Sequence, residues 1–124
     1  ALGRGEWTPP GSAGSYSALS VGSRRGWQGD PGANGVFLGI LPGGSLPVDL
    51  PGHPSCTEVQ EPINDESAAL GPTVTVVNAR CAGGSTVFER LIRVADNRLL
   101  WVQVQADDRS AATAVLDSVQ VSGF

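Results

Sequence analysis

The stretch from Thr86 to Ala106, TVFERLIRVADNRLLWVQVQA, constrains this fold more than any other part of the chain. Two runs rich in Val, Ile, Leu, Phe and Trp flank Ala95-Asp96-Asn97-Arg98, and Asp and Asn favour turns because they hydrogen-bond locally and tolerate left-handed backbone. That pattern predicts a β-hairpin. A two-residue turn would pair Ala95 with Arg98, and both faces would then mix apolar with charged side chains. A three-residue loop of Asp96, Asn97 and Arg98 pairs Ala95 with Leu99 and gathers Phe88, Ile92 and Val94 with Leu100, Val102, Val104 and Ala106. Because a slip of one residue sends every side chain to the other face, the odd loop is expected, with Asn97 or Arg98 left-handed. Arg90 is then a charged residue on an otherwise apolar face. The opposite face carries Glu89, Arg93, Gln103 and Gln105 around Leu91 and Trp101.

Upstream, Thr73 to Ala82 reads as a strand joined to Thr86 by a tight Gly83-Gly84 turn, which makes a three-stranded meander. Pairing Ala82 with Ser85 places Cys81, Ala79 and Val77 on the face of Phe88 and Ile92. The alternation slips at Val76-Val77, where a bulge is expected. Downstream, Asp107 or Asp108 can cap a helix ending near Ser118, whose Ala111, Ala112, Val115, Leu116 and Val119 recur at spacings of three and four. Val115 and Leu116 are expected on the apolar face of the meander, with a short strand to follow in Ser118 to Gly123.

The N-terminal half gives weaker signals. Most of the 17 Gly and 9 Pro fall in the first 72 residues, so this half is expected to be rich in loops. Ser15 to Ser23 alternates weakly and reads as a first strand. Gly35 to Leu41, closed by Pro42-Gly43-Gly44, reads as a central strand that pairs with it. Between Pro42 and Pro72 repeated prolines exclude a long helix, and Asn64 to Leu70 has room for one helical turn. Residues 1–14 read as a linker tail and residues 15–124 as one globular domain, matching the length of the chain. The expected class is α+β: an antiparallel sheet with a C-terminal meander, one C-terminal helix packed on it, and a loop-rich N-terminal half.

The net charge of −4 comes without a basic run, which argues against nucleic acid or an anionic membrane surface as partner. All 8 cationic side chains are Arg, and with abundant Ala, Gly, Pro and Val this marks a GC-rich coding genome such as an actinobacterial one. The chain starts at Ala1 without Met, and no apolar run is long enough for a signal or a membrane span. The expectation is a mature or trimmed form, attached to any membrane only through a segment before Ala1. Cys56 and Cys81, 25 positions apart, are too few for a zinc site even with His53, so a disulfide in an oxidising compartment is expected over two free thiols. Such a bridge would contribute about 3 to 4 kcal/mol by restricting the unfolded chain.

Motifs that carry chemistry are few. His53, with Asp49 four residues before it, lacks a nucleophile elbow, so no catalytic residue is assigned. Glu58 with Glu61, and Asp65 with Glu66, form a catalytic pair only if folding sets two carboxylates across a groove. No phosphate-binding glycine loop or calcium loop is present, and neither metal nor cofactor is expected. The candidate binding residues are aromatic and cationic: Trp101, with Arg93 across from it as a cation–π partner, and Trp27, whose other reading is a core side chain. An alternative for Trp101 is cover by the N-terminal segment through Trp7.

The segments Ser15 to Trp27 (SYSALSVGSRRGW), Gly35 to Ile40 and above all Leu99 to Val121 (LLWVQVQADDRSAATAVLDSVQV) resemble the small secreted or lipid-anchored actinobacterial domains with a PsbP-like α/β/α sandwich. The resemblance is one of element order and covers most of the chain. It implies a binding or sensing module without catalytic residues. The expected function is therefore an extracytoplasmic, non-catalytic binding or sensor domain for a protein or small-molecule ligand. The alternatives are a small secreted hydrolase using His53 and a protease-inhibitor-like module presenting Gly43 to Pro62.

Overall fold

The computed structural model describes residues 2–8, 14–22, 27, 34–42, 56–60, 63–67, 71–81, 86–95, 98–106 and 109–118. They form eight strands, β1 (Leu2–Trp7), β2 (Tyr16–Gly22), β3 (Gly35–Pro42), β4 (Cys56–Val59), β5 (Ile63–Ser67), β6 (Gly71–Cys81), β7 (Thr86–Ala95) and β8 (Arg98–Ala106), followed by one helix, α1 (Arg109–Asp117). One antiparallel sheet runs β1-β2-β3-β8-β7-β6-β4, and β5 also pairs with β6. β4 and β5 share the outer edge of β6: Cys56 stands opposite Cys81, and Ile63 opposite Thr75. Next to β4, the Gln60 amide donates to the Val77 carbonyl at 3.0 Å, which carries the pairing with β6 one residue past Val59. Among the described residues the architecture is mainly β with a single helix rather than a balanced α+β fold.

Several sequence expectations need correcting. Residues 2–7 of the expected linker tail form β1, in an unbroken six-pair ladder with β2. Five of the eight strands lie before residue 68, so the N-terminal half is sheet as well as loop. Residues 64–67, expected to open a helical turn, lie in β5, where an available edge of β6 outweighs the local preference of Asn and Asp for caps. No bulge occurs at Val76-Val77: the β6–β7 ladder is unshifted from Thr73 to Asn78. Val74, Val76 and Val77 are all buried, so alternation fades because both faces of the strand are covered. The irregularity falls instead at Arg80, whose φ of 52° is left-handed. Val77 pairs with Phe88, two residues from the expected register but on the expected face.

The β7–β8 hairpin shows how two sequence demands were reconciled. Ala95 does pair with Arg98, the alignment rejected above in favour of a three-residue loop. A register shift between Arg93 and Ala95 makes Val94 an extra residue, so from Arg93 with Leu99 back to Thr86 with Ala106 the apolar positions regain their common face. The cluster on that face is the expected one: Phe88, Ile92, Leu100, Val102 and Val104, with Val77, closed by Ala112 and Leu116 of α1. Val94, Ala106, Val36, Leu38 and Ile40 pack around it. Within α1, Leu116 faces the sheet as expected and Val115 does not, being 39% exposed. Arg90 also finds its explanation here. Its Nε donates to Thr75 Oγ1 at 2.8 Å, and its Nη1 lies 3.0 Å from Asp117 Oδ1, so the cation ties the last residue of the helix to two strands. The proposed caps Asp107 and Asp108, Asn97, the Gly83-Gly84 turn and the strand expected after Ser118 lie outside the described residues.

The second face of the sheet is filled differently. Trp7 on β1 sits with its ring centroid 5.5 Å from that of Trp101 on β8 and 5.1 Å from that of Phe37 on β3. β1 and β8 are three strands apart, about 14 Å in a flat sheet. The sheet therefore coils with this face concave, leaving the helix-bearing face convex. Gly39 makes the approach feasible, since a Cβ there would meet the Trp7 indole at 2.5 Å. The indole Nε1 also donates to the Ile40 carbonyl at 2.8 Å. Trp27 has its own seat on the concave face, on Gly22 and Gly35, which are direct cross-strand partners and where a Cβ would meet the ring at 2.1 and 2.2 Å.

Candidate binding groove

The convex face carries the candidate site. α1 packs over β7 and β8, and beside it the chain leaves a cavity of about 260 Å³. Val36 and Val104, directly opposed on β3 and β8, and Ala112 of α1 contribute to its lining. Val21 of β2, 45% exposed, and Val115 of α1, 39% exposed, flank it. Among the described lining residues only Asn34 and Gln105 are polar. Large apolar side chains left in water on both sides of an apolar cavity are unfavourable in isolation, which makes such a groove suited to an apolar group. Gly22, Gly35 and Gln105 line this cavity and also hold Trp27: two bare glycines seat its ring, and Gln105 Nε2 donates to its carbonyl at 3.3 Å. Trp27 thus lies at the same part of the sheet as the groove.

The residues singled out from the sequence fall elsewhere. Trp27 is 4% exposed in its glycine seat, the core reading of that residue. Trp101 is half-buried, in a T-shaped contact with Trp7, so the N-terminal segment covers it. Leu91, not Arg93, stands across from Trp101; Arg93 is exposed and opposite Leu99. A cation does approach a ring nearby, with Arg98 5.7 Å from the Tyr16 centroid. The three candidates therefore do not form one surface. Glu58 is exposed and 3.5 Å from Arg80 Nε, and Asp65 and Glu66 occupy consecutive positions of the β5 ladder. Asp49, His53, Glu61 and, apart from residues 56–60, the stretch from Gly43 to Pro62 lie outside the described residues. Among the described residues no cluster of His, Cys, Asp and Glu could hold a metal ion, and no helix is long and apolar enough to cross a membrane.

The sheet also buries polar groups on the face opposite the helix. Glu89 and Asn78 are both fully buried on the concave side, and Asn78 Nδ2 donates to Glu89 Oε1 at 3.1 Å and to the Val87 carbonyl at 3.4 Å. A signal for the concave face was present in the sequence: Gly35 and Gly39 interrupt an apolar strand four residues apart, and glycine inside a strand marks close approach by another group. The groove had no such signal, because Val21 and Val115 are brought together only by the topology. Comparisons with family models, with characterised proteins and with solved structures found no match.

Proposed function

We propose that this chain is a non-catalytic binding or sensor domain acting outside the cytoplasm, and that the groove between α1 and strands β2, β3 and β8 receives its ligand. The observation that carries the reading is the exposed, apolar flank of Val21 and Val115 on a cavity of about 260 Å³. That volume lies just below the range of roughly 300–1,000 Å³ common for small-molecule sites. The occupant is accordingly a short apolar group, one aromatic ring or a branched aliphatic. The resemblance to small exported PsbP-like domains implies the same kind of role.

The test is titration with anilinonaphthalene sulfonate, a dye that brightens in apolar surroundings, followed by competition with short-chain carboxylic acids and simple aromatics. Saturable binding that weakens at least tenfold in Val21→Glu and in Val115→Glu is expected, with far-ultraviolet dichroism unchanged. Binding indifferent to both substitutions would remove the groove from consideration.

The extracytoplasmic assignment rests on a Cys56–Cys81 disulfide, which is part of the same proposal. Its support is the register, which sets the two residues directly across from each other in the β4–β6 ladder, and the lack of a free cysteine among the described residues. The β4 edge would then be tethered to β6 covalently. Intact mass under non-reducing conditions is expected to fall about 2 Da below that of the reduced chain, as formation of one disulfide requires. Two alkylatable thiols in protein isolated from its native compartment would count against both the bridge and the location.

A further inference from the structure

We propose that the open edge of β1 pairs with the same edge of a second copy of this chain, continuing the sheet across a two-fold axis at Gly5. β1 ends the strand order and has no partner on its outer side among the described residues. An unpaired edge is a template for another strand, and native sheets usually blunt it with Pro, a bulge or charged side chains. Residues 2–7 hold no Pro, and the ladder to β2 runs through six pairs without a shift. The two charges of the strand, Arg4 and Glu6, have opposite sign and flank Gly5 symmetrically.

That symmetry selects a register. In an antiparallel pairing centred on Gly5, each Arg4 stands opposite the Glu6 of the other copy, Gly5 opposite Gly5, and Trp7 opposite Gly3. Opposite charges in direct cross-strand positions attract, and the largest residue of the strand meets one without a side chain. Moving the axis to Arg4 or to Glu6 sets like charges together, and a slip of one residue leaves Arg4 facing Gly5 or Trp7. The arrangement is isologous, so one interface closes the assembly as a dimer. Among the described residues, a Cβ built on Gly5 meets nothing within 4 Å, and Gly5 and Glu6 are both exposed. Pairing along a single edge is small beside obligate interfaces, so a weak, reversible dimer is expected. This inference is independent of the groove.

Sedimentation velocity from about 1 µM to 1 mM tests it, a range that brackets weak association. The full chain is expected to self-associate. Arg4→Glu and Glu6→Arg should each weaken association at least tenfold, and their equimolar mixture should restore it, because a strand with two Glu then faces one with two Arg. A chain monomeric at 1 mM, variants that associate like the parent, or a mixture that stays monomeric would overturn the proposal. Should either variant fail to fold, the parent at low and high salt decides: weaker association in salt supports charge-matched edges, and unchanged association refutes them.

Discussion

Gly39→Ala is the substitution in which the two faces of the sheet can be told apart energetically. In an exposed strand the change should stabilise by about 0.5 to 1 kcal/mol, because Gly loses more backbone freedom on folding than Ala. Here the new Cβ would lie 2.5, 2.6 and 2.7 Å from Cε2, Nε1 and Cζ2 of Trp7. Carbon contacts are comfortable at about 3.5 Å, so the indole must retreat by about 1 Å. The atom under pressure includes the donor of the 2.8 Å bond to the Ile40 carbonyl, which such a shift carries beyond hydrogen-bonding range. Losing that bond removes about 0.5 to 1.5 kcal/mol. The edge-to-face contacts with Phe37 and Trp101 are worth about 0.5 to 1.5 kcal/mol each and weaken together. The losses exceed the backbone gain, and a net destabilisation of about 1 to 3 kcal/mol follows.

The assay is urea unfolding monitored by dichroism, run as a cycle with Trp7→Ala. Once the ring is gone the three closest contacts of the new methyl group go with it, and Gly39→Ala should turn neutral or stabilising by up to about 1 kcal/mol. Equal destabilisation in both backgrounds would refute the reasoning, since the glycine would then serve something other than the indole. Stabilisation in the parent background would refute the seat itself.

Three further outcomes are expected. Gly22→Ala and Gly35→Ala each place a Cβ within 2.3 Å of the Trp27 ring, so each should destabilise by about 2 kcal/mol or more and shift Trp27 emission toward that of an exposed indole in a Trp7→Phe, Trp101→Phe background. Leu116→Ala, at a fully buried position of α1, should lower stability by about 2 to 5 kcal/mol in the same unfolding assay, the range for truncated core leucines. Arg90→Met and Asp117→Asn should be coupled in a double-mutant cycle by a few tenths to about 1 kcal/mol; the pair is short, but its carboxylate side is 60% exposed, so solvent screens it, and added salt should shrink the coupling.

The meander was legible because one physical rule governs it. Alternation with period two assigned Phe88, Ile92, Leu100, Val102 and Val104 to their common face, and the penalty for a slip of one residue kept that assignment correct even though the turn was misread. The turn was misread because the bulge at Val94 absorbs one residue, and a bulge there leaves no mark in composition. β1 and β5 were not legible. LGRGEW and INDES lack the apolar runs that signal strands, and each is extended because a neighbouring edge needs a partner. The burial of Glu89 and Gln105 was not legible either: the rule gives a face, and only the coiling of the sheet decides whether that face meets water.

That coiling also accounts for the groove. With Trp7 drawn over Gly39 toward Trp101, the Trp-bearing face turns concave and the opposite face spreads. Seven strands side by side span about 29 Å, six spacings of roughly 4.8 Å, whereas a helix is about 10 Å across. α1, nine residues long, lies over β7 and β8 and supplies Ala112 and Leu116 to their core. It does not reach far enough to shield Val21 on β2, and Val36 and Leu38 are only partly buried. The same glycines that admit Trp27 on one side thus underlie the apolar gap on the other. Filling either seat with a methyl group should therefore disturb the groove as well as the core, so dye affinity and unfolding free energy should fall together in Gly35→Ala, while Gly39→Ala should move only the second.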